Sequence, residues 1–314
     1  MKAKRKGSLF PIIIAVIMLI AVCSITYSIY AQEESSNSEI QIQNLEIPLC
    51  PQDCLFISES NIDEIILTPE KEDSHQIISH NGFILCYREF YEQPEWVCYT
   101  IDKSKMQKNV KRNDRFRSDP LVETSSASLE DYKNSGYDRG HLAPSADLTY
   151  SKETMSDSFF LSNMSPQHPG FNRGIWKDLE SELRSQTENF DILYIVTGPI
   201  LEKKDYETIG INSVAIPEFF YKAVLAVKDG KYHAIGFILP NKKCIDSFWN
   251  YAVSVDEIEK RTGIDFFYKL DDKLEASLES QVLLSDWKKE VHVELHEQDE
   301  QDEQAELQNP PETL

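Results

Sequence analysis

The stretch Asp138-Arg139-Gly140-His141, continuing into Leu142-Ala143-Pro144, sets the reading of this chain. It follows a turn-like Asn134-Ser135-Gly136 and places an arginine and a histidine two residues apart about a glycine. A histidine takes a proton from water near neutral pH. An arginine holds a phosphate with a planar fork of donors. A glycine lets the backbone approach closely. The combination suits phosphodiester chemistry. Downstream lie Ser162-Asn163-Met164-Ser165-Pro166-Gln167 and a periodic run from Asn172 to Arg184. Asn172, Trp176, Glu180 and Arg184 are spaced by four and form one slowly drifting stripe on a helix. Ile175, Leu179 and Leu183 form the neighbouring apolar stripe, which should face a core. The polar stripe therefore sits at the edge of the buried face, where a cleft wall would be. Alone, this helix reads equally well as a surface helix with a Glu180–Arg184 pair.

Working outward, residues 75–290 read as one globular domain of mixed type. Strand-like runs are Gly82–Arg88, Trp96–Ile101, Ile192–Thr197, Val214–Ile216, Tyr221–Val227 and His233–Leu239. Helix-like runs are Lys152–Ser156, Asn172–Gln186, Ile245–Ala252 and Val255–Thr262, the last closed by Gly263. Strands mostly follow strands, which favours an α+β fold over a doubly wound one. Cys86 and Cys98 lie symmetrically about Glu92, so a hairpin turning there would set them face to face, either as a disulfide or as two buried small residues. Cys50 and Cys54 form a second candidate pair. No second cysteine pair stands at zinc-ligand spacing.

The flanks differ in kind from this domain. Lys2, Lys4, Arg5 and Lys6 precede an uncharged, mostly apolar run from Leu9 to Ala31. As a helix that run spans roughly 34 Å, enough to cross a bilayer. Residues 1–31 thus read as a retained signal anchor or a cleaved signal peptide. Either form leaves the rest of the chain extracytoplasmic, membrane-anchored or secreted. Residues 32–74 read as an acidic linker or stalk, with Ile47 to Leu67 apolar enough to pack on the domain. Residues 291–314 read as an acidic disordered tail. The net charge is −21. Residues 33–73 carry eleven acids and one base, residues 297–314 carry seven acids, and the start adds four bases, so roughly −8 remains for the rest.

The ordered motifs resemble the DNA/RNA non-specific endonucleases with the ββα-metal finger, the family that includes endonuclease G and the Serratia nuclease. The pattern D-R-G-H, then S-N-x-x-P-Q, then N-x-x-x-W-x-x-L-E matches Asp138–His141, Ser162–Gln167 and Asn172–Glu180 in order and spacing. Further similarity covers Thr197-Gly198-Pro199, Val214-Ala215-Ile216-Pro217, Leu239-Pro240-Asn241 and Thr262-Gly263, so the resemblance spans about residues 80–270. It implies a ββα-metal finger nuclease with a central antiparallel sheet and flanking helices. It also implies a Mg²⁺-dependent endonuclease that cuts DNA and RNA to 5′-phosphates, with Mn²⁺ as a substitute metal, often as a homodimer. By the same resemblance His141 is the general base and Asn172 the direct metal ligand. Glu180 holds water at the metal, and Arg139 and Arg184 clamp phosphate. Asn163 orients the histidine loop or contacts the metal site, and Asp138 is a support.

One basic run adds a candidate substrate contact. Residues 103–117 hold Lys103, Lys105, Lys108, Lys111, Arg112, Arg115 and Arg117 against Asp114. Such clusters bind phosphate backbones without reading sequence. Arg112, Arg115 and Arg117 cannot be ranked from the sequence. Two other functions fit parts of the pattern: a cell-envelope protein that binds or takes up nucleic acid, and a metal phosphodiesterase for a non-polymer substrate.

Overall fold

The computed structural model describes residues 47–48, 55–58 and 75–288. The expected membrane segment and acidic tail lie outside these residues. Among the described residues no helix is long and apolar enough to cross a membrane.

An eight-stranded sheet forms the frame. In chain order its strands are β1 (Leu55–Ser58), β2 (His75–His80), β3 (Phe83–Arg88), β4 (Gln93–Asp102), β7 (Ile192–Pro199), β10 (Phe219–Lys228), β11 (Lys231–Pro240) and β12 (Ala252–Val253), and this is also their spatial order. Every pairing is antiparallel except β1 with β2. The remaining strands form two small separate ladders, β5 (Asp138–His141) with β6 (Met164–Gln167), and β8 (Thr208–Ile209) with β9 (Val214–Ala215). The molecule is therefore α+β with a central antiparallel sheet, as the strand spacing predicts.

Both faces of the sheet are covered, so its central strands are apolar on both sides. Trp96, Cys98, Tyr194, Val196, Tyr221, Ala223 and Leu225 point to one face and pack with Val255 and Ile258 of the helix Val255–Thr262. That helix starts on a Ser254 cap and ends at Gly263, whose φ is +72°. Val97, Tyr99, Thr197, Phe220 and Lys222 alternate with them onto the opposite face, where Trp176 meets Phe220 at 5.8 Å.

Four expectations change. Cys86 lies opposite Trp96 and Cys98 opposite Ile84, with a register shift after Cys86, so the cysteines are diagonal and unbridged. The hairpin turns through Glu89–Tyr91 and centres ahead of Glu92, so the assumed symmetry does not hold. Ile245–Ala252 is no helix: it yields the 3-10 turn Phe248–Tyr251, capped by Ser247, followed directly by β12. The helix Asp272–Glu279 has no counterpart in the sequence reading. Finally, the assumed linker contributes β1 to the sheet edge, while Ile47 packs on the core as its apolar segment predicts.

Candidate active site

The opening tetrapeptide is β5. Its antiparallel register sets Asp138 opposite Gln167, Gly140 opposite Ser165 and His141 opposite Met164. Asn134 (φ 59°) and Gly136 (φ +85°) turn the chain into it. Gly140 is needed for space: a Cβ there would fall 2.1 Å from the Gln167 side chain.

His141 is held by the chain just after it. Leu142 N donates to Asn163 O at 3.0 Å and Ala143 N to Asn163 Oδ1 at 2.9 Å. Asn163 Nδ2 donates back to Ala143 O and to Ser158 O, both at 3.0 Å. Asn163 is fully buried and spends its side chain on this loop. All the side-chain bonds described for it go to Ala143 and Ser158. The His141 ring meets Phe159 and Phe116 edge-on, at 4.9 and 5.6 Å. Its Nε2 is sealed from solvent without a hydrogen-bond partner. Burial, with the charges of Arg112 and Arg139, pushes its pKa down to about 3, so the ring is neutral at physiological pH.

Asn172 lies in the run that follows β6. Phe171–Trp176 is π-helical and broken at Gly174 (φ −111°, ψ −116°), and the regular helix Lys177–Ser185 continues from it. Asn172 Nδ2 donates to Asp138 Oδ2 at 2.9 Å, and Arg173 grips both oxygens at 2.8 and 2.6 Å. A carboxylate only accepts, so the Asn172 amino group must face it and the amide oxygen must face away. Against the cost of burial, these bonds hold the Asp138 carboxyl below its usual range. Asp138 is thus the support expected, and what it supports is Asn172.

A second group of charges lies between that helix and the sheet. Arg184 donates to the buried Asp147 at 2.8 Å and to Ser181 at 3.0 Å. Lys222, fully buried on β10, reaches Thr197 Oγ1 at 3.2 Å and stands 4.4 Å from the Trp176 ring centre. Burial pushes Glu180 up to about 7, with Lys222 and Arg184 opposing and Asp147 adding to the rise. Burial pushes Lys222 down to about 8 while Glu180 and Asp147 hold it up. The result is a four-membered acid–base cluster with Glu180 at its edge.

The structure separates the three arginines of the basic run. Arg112 donates to Ser145 Oγ at 2.8 Å and to Asp114 at 2.6 Å, and its charge acts on both His141 and Glu180. Arg117 turns away, stacked 3.7 Å over Phe160 and bonded to Ser156. Arg115 is exposed, with only backbone bonds described. Arg112, Arg139, Asn172 and Arg173 line one open cleft of about 460 Å³ together with Phe116 and Asp138. Arg139 is exposed there, 4.3 Å over the Phe116 ring.

Comparison with known proteins agrees with this arrangement. The family profile described as DNA/RNA non-specific endonuclease matches residues 64–273. The chain belongs to that family. Nuclease C1 of Cunninghamella echinulata var. echinulata is 36% identical over 228 residues, covering 67% of this chain and 90% of that protein. The mitochondrial nuclease of Saccharomyces cerevisiae is 36% identical, covering 62% and 67%. The mitochondrial nuclease EXOG of Homo sapiens is 35% identical, covering 61% and 57%, so the chain spans just over half of that relative. A crystal structure of an EndoG/EndoGI complex, with 30% identity and a TM-score of 0.59, matches 63% of this chain and 88% of that one.

Within this family fold, the finger formed by β5, β6 and the helix after them carries His141, Arg139, Asn172, Glu180 and Arg184, as the motif spacing predicts. The sequence reading missed Lys222. Its signal was present: in Phe220-Tyr221-Lys222-Ala223-Val224-Leu225-Ala226 a single lysine interrupts a run apolar on both faces, and such a residue needs a buried partner. His168 Nδ1 accepts from Gly170 N at 3.0 Å.

Proposed function

We propose that this nuclease is a divalent-metal-dependent, sugar-non-specific endonuclease, with DNA and RNA as substrates and 5′-phosphate products. One observation carries the reading. The Asp138 carboxylate fixes the Asn172 amide with its oxygen turned away, in a cleft edged by Arg112 and Arg139. The donor set fits magnesium: a neutral, hard amide oxygen with no other bond among the described residues, and a carboxylate, Glu180, two helical turns on. Magnesium dehydrates reluctantly and suits a site with few protein ligands. Asn172 would hold Mg²⁺, with Mn²⁺ as a substitute, and the bound ion supplies charge neutralisation at the phosphate under attack.

The protein's own groups supply the rest. His141, kept neutral by burial, takes the proton of the attacking water. Arg139 and Arg112 bind the phosphate oxygens and stabilise charge that grows during attack. Glu180, ionised with help from Lys222 and Arg184, accepts hydrogen bonds from water on the Asn172 side. Arg184 acts through Asp147, as a strut of that cluster. The domain 75–290 carries this activity, and the N-terminal segment carries it outside the cytoplasm. Plasmid DNA and RNA incubated with the full chain test the proposal. Both should be cut with Mg²⁺, neither with EDTA, and the ends should ligate without added kinase. Uncut nucleic acid in Mg²⁺, or cutting by His141→Ala at the wild-type rate, overturns it.

A further inference from the structure

A second acid-rich site lies on the sheet face away from the finger. Asp256 and Glu259 stand one turn apart on the helix Val255–Thr262, and Glu279 ends the helix Asp272–Glu279. One carboxylate oxygen from each lies within 4.8 Å of the others. Asp265 and Glu275 add their charges to the same place. Glu279 is 96% buried by area, being only 4% exposed, and its Oε1 is sealed from solvent with no hydrogen-bond partner. Glu259 accepts from Phe266 N at 2.8 Å.

Among the described residues no lysine or arginine pairs with these acids. Lys260 turns to Glu257 at 3.7 Å and Arg261 to Glu202 at 2.7 Å. Among the described residues none of the five carboxylates takes part in an ion pair. Desolvation and mutual repulsion push Glu279 up to about 9 and Glu259 up to about 7, which measures how much positive charge the place lacks.

From this geometry we infer that Asp256, Glu259 and Glu279 form a structural calcium site that joins the two helices. All-oxygen carboxylate donors select a hard cation over zinc or copper. Donor number selects among hard cations: magnesium is usually held by one or two carboxylates with water, whereas calcium takes about six to eight oxygens in a flexible shell, and three carboxylates gather here. Exposed Asp256 leaves an open side on which water completes the shell. Asp256 and Glu259 lie within the residues matched by the family profile, and Glu275 and Glu279 lie just beyond them. Calcium here would clamp the helix Val255–Thr262, whose Val255 and Ile258 seal the sheet.

The test uses the full chain, stripped with EDTA and followed by thermal unfolding and calorimetric titration with CaCl₂ or MgCl₂ alone. Calcium should bind with half-saturation on the order of 10⁻⁴–10⁻³ M and raise the melting temperature, with magnesium weaker at equal concentration. Asn172→Ala should keep the calcium shift, because it removes only the finger's ligand. Glu279→Gln and Asp256→Asn should lose it while cutting nucleic acid in saturating Mg²⁺ at the wild-type rate. Absence of binding in the wild type, a shift that survives both substitutions, or a shift lost only in Asn172→Ala overturns the site. Should Glu279→Gln fail to fold, the exposed Asp256→Asn decides alone. Failure here leaves the nuclease reading intact, since that is read from cleavage.

Discussion

Replacing Asp138 by alanine tests the central link between fold and chemistry. Two bonds are at stake. The Asn172–Asp138 hydrogen bond, at 2.9 Å, is part-buried and has a charged acceptor, a class worth about 1.5–3 kcal/mol. The Arg173–Asp138 grip is tighter, but Arg173 is 72% exposed, so water and salt screen it. Losing the first bond frees the Asn172 amide to rotate and lowers the fraction with its oxygen in place. Outer-shell substitutions of this kind cost about 10–100-fold in metal affinity, about 1.4–2.7 kcal/mol, which agrees with the bond's own worth. The assay is the initial rate of plasmid cleavage against Mg²⁺ concentration. Asp138→Ala should raise the half-saturating Mg²⁺ concentration about 10–100-fold, with most of the rate restored at saturation. Arg173→Ala should shift it less than about threefold. An Asp138→Ala protein with unchanged Mg²⁺ dependence and a lower ceiling would show that Asp138 does not act through Asn172.

The other predictions concern charge. His141 has a folded pKa depressed to about 3, so it contributes stability above its unfolded value near 6.5 that is lost as pH falls toward 3. His141→Asn should flatten the melting temperature between pH 6.5 and about 4, and an unchanged slope in calorimetry would refute the burial argument. Lys222→Met removes the strongest charge that keeps Glu180 down, so Glu180 should rise further above about 7. Activity should then fall more at pH 6 than at pH 9, and an equal loss at both would mean a purely structural role. Arg112→Ala should lower kcat/KM on the order of 10²-fold, and Arg115→Ala within about twofold. Arg117→Ala should instead cost stability, about 1–2 kcal/mol in urea unfolding, through lost stacking on Phe160.

The finger was readable from the sequence because its constraints are local. The spacing from Asn172 to Arg184 puts Ile175, Leu179 and Leu183 into the core, and all three are buried. Strands β4, β7, β10 and β11 were legible from their β-branched and aromatic runs and are two to four residues longer than those runs, whereas β3 and β9 are one residue shorter and β2 was not read. What was hidden depends on distant contacts. The β5 strand itself carries Asp, Arg, Gly and His, none of them strand-forming, and exists because β6 pairs with it 26 residues later. Arg112, Arg115 and Arg117 are chemically alike in sequence, and only packing against Phe159, Phe160 and Ser145 tells them apart. The helix Asp272–Glu279 was obscured because its acids sit at spacing that no isolated helix would favour.

The two acid clusters of this protein are instructive as a pair, because one explains what the other lacks. On the finger side, Asp147 and Glu180 are gathered under the sheet face, and the chain provides Arg184 at 2.8 Å and Lys222 from behind. Burying a lysine on a central strand is costly, and it is sustained only because acids face it. The fold thus meets the cost of desolvated carboxylates with built-in cations where the cluster must stay fixed around a reaction. On the opposite face, Asp256, Glu259 and Glu279 converge as closely, yet the neighbouring Lys260 and Arg261 are engaged by Glu257 and Glu202. A lysine at one of these positions would offset the repulsion, yet the chain sets Glu259 on the helix Val255–Thr262 and Glu279 on the helix Asp272–Glu279 against each other. A cluster left without a countercharge in a protein that elsewhere supplies one is best accounted for by a cation that comes from solution.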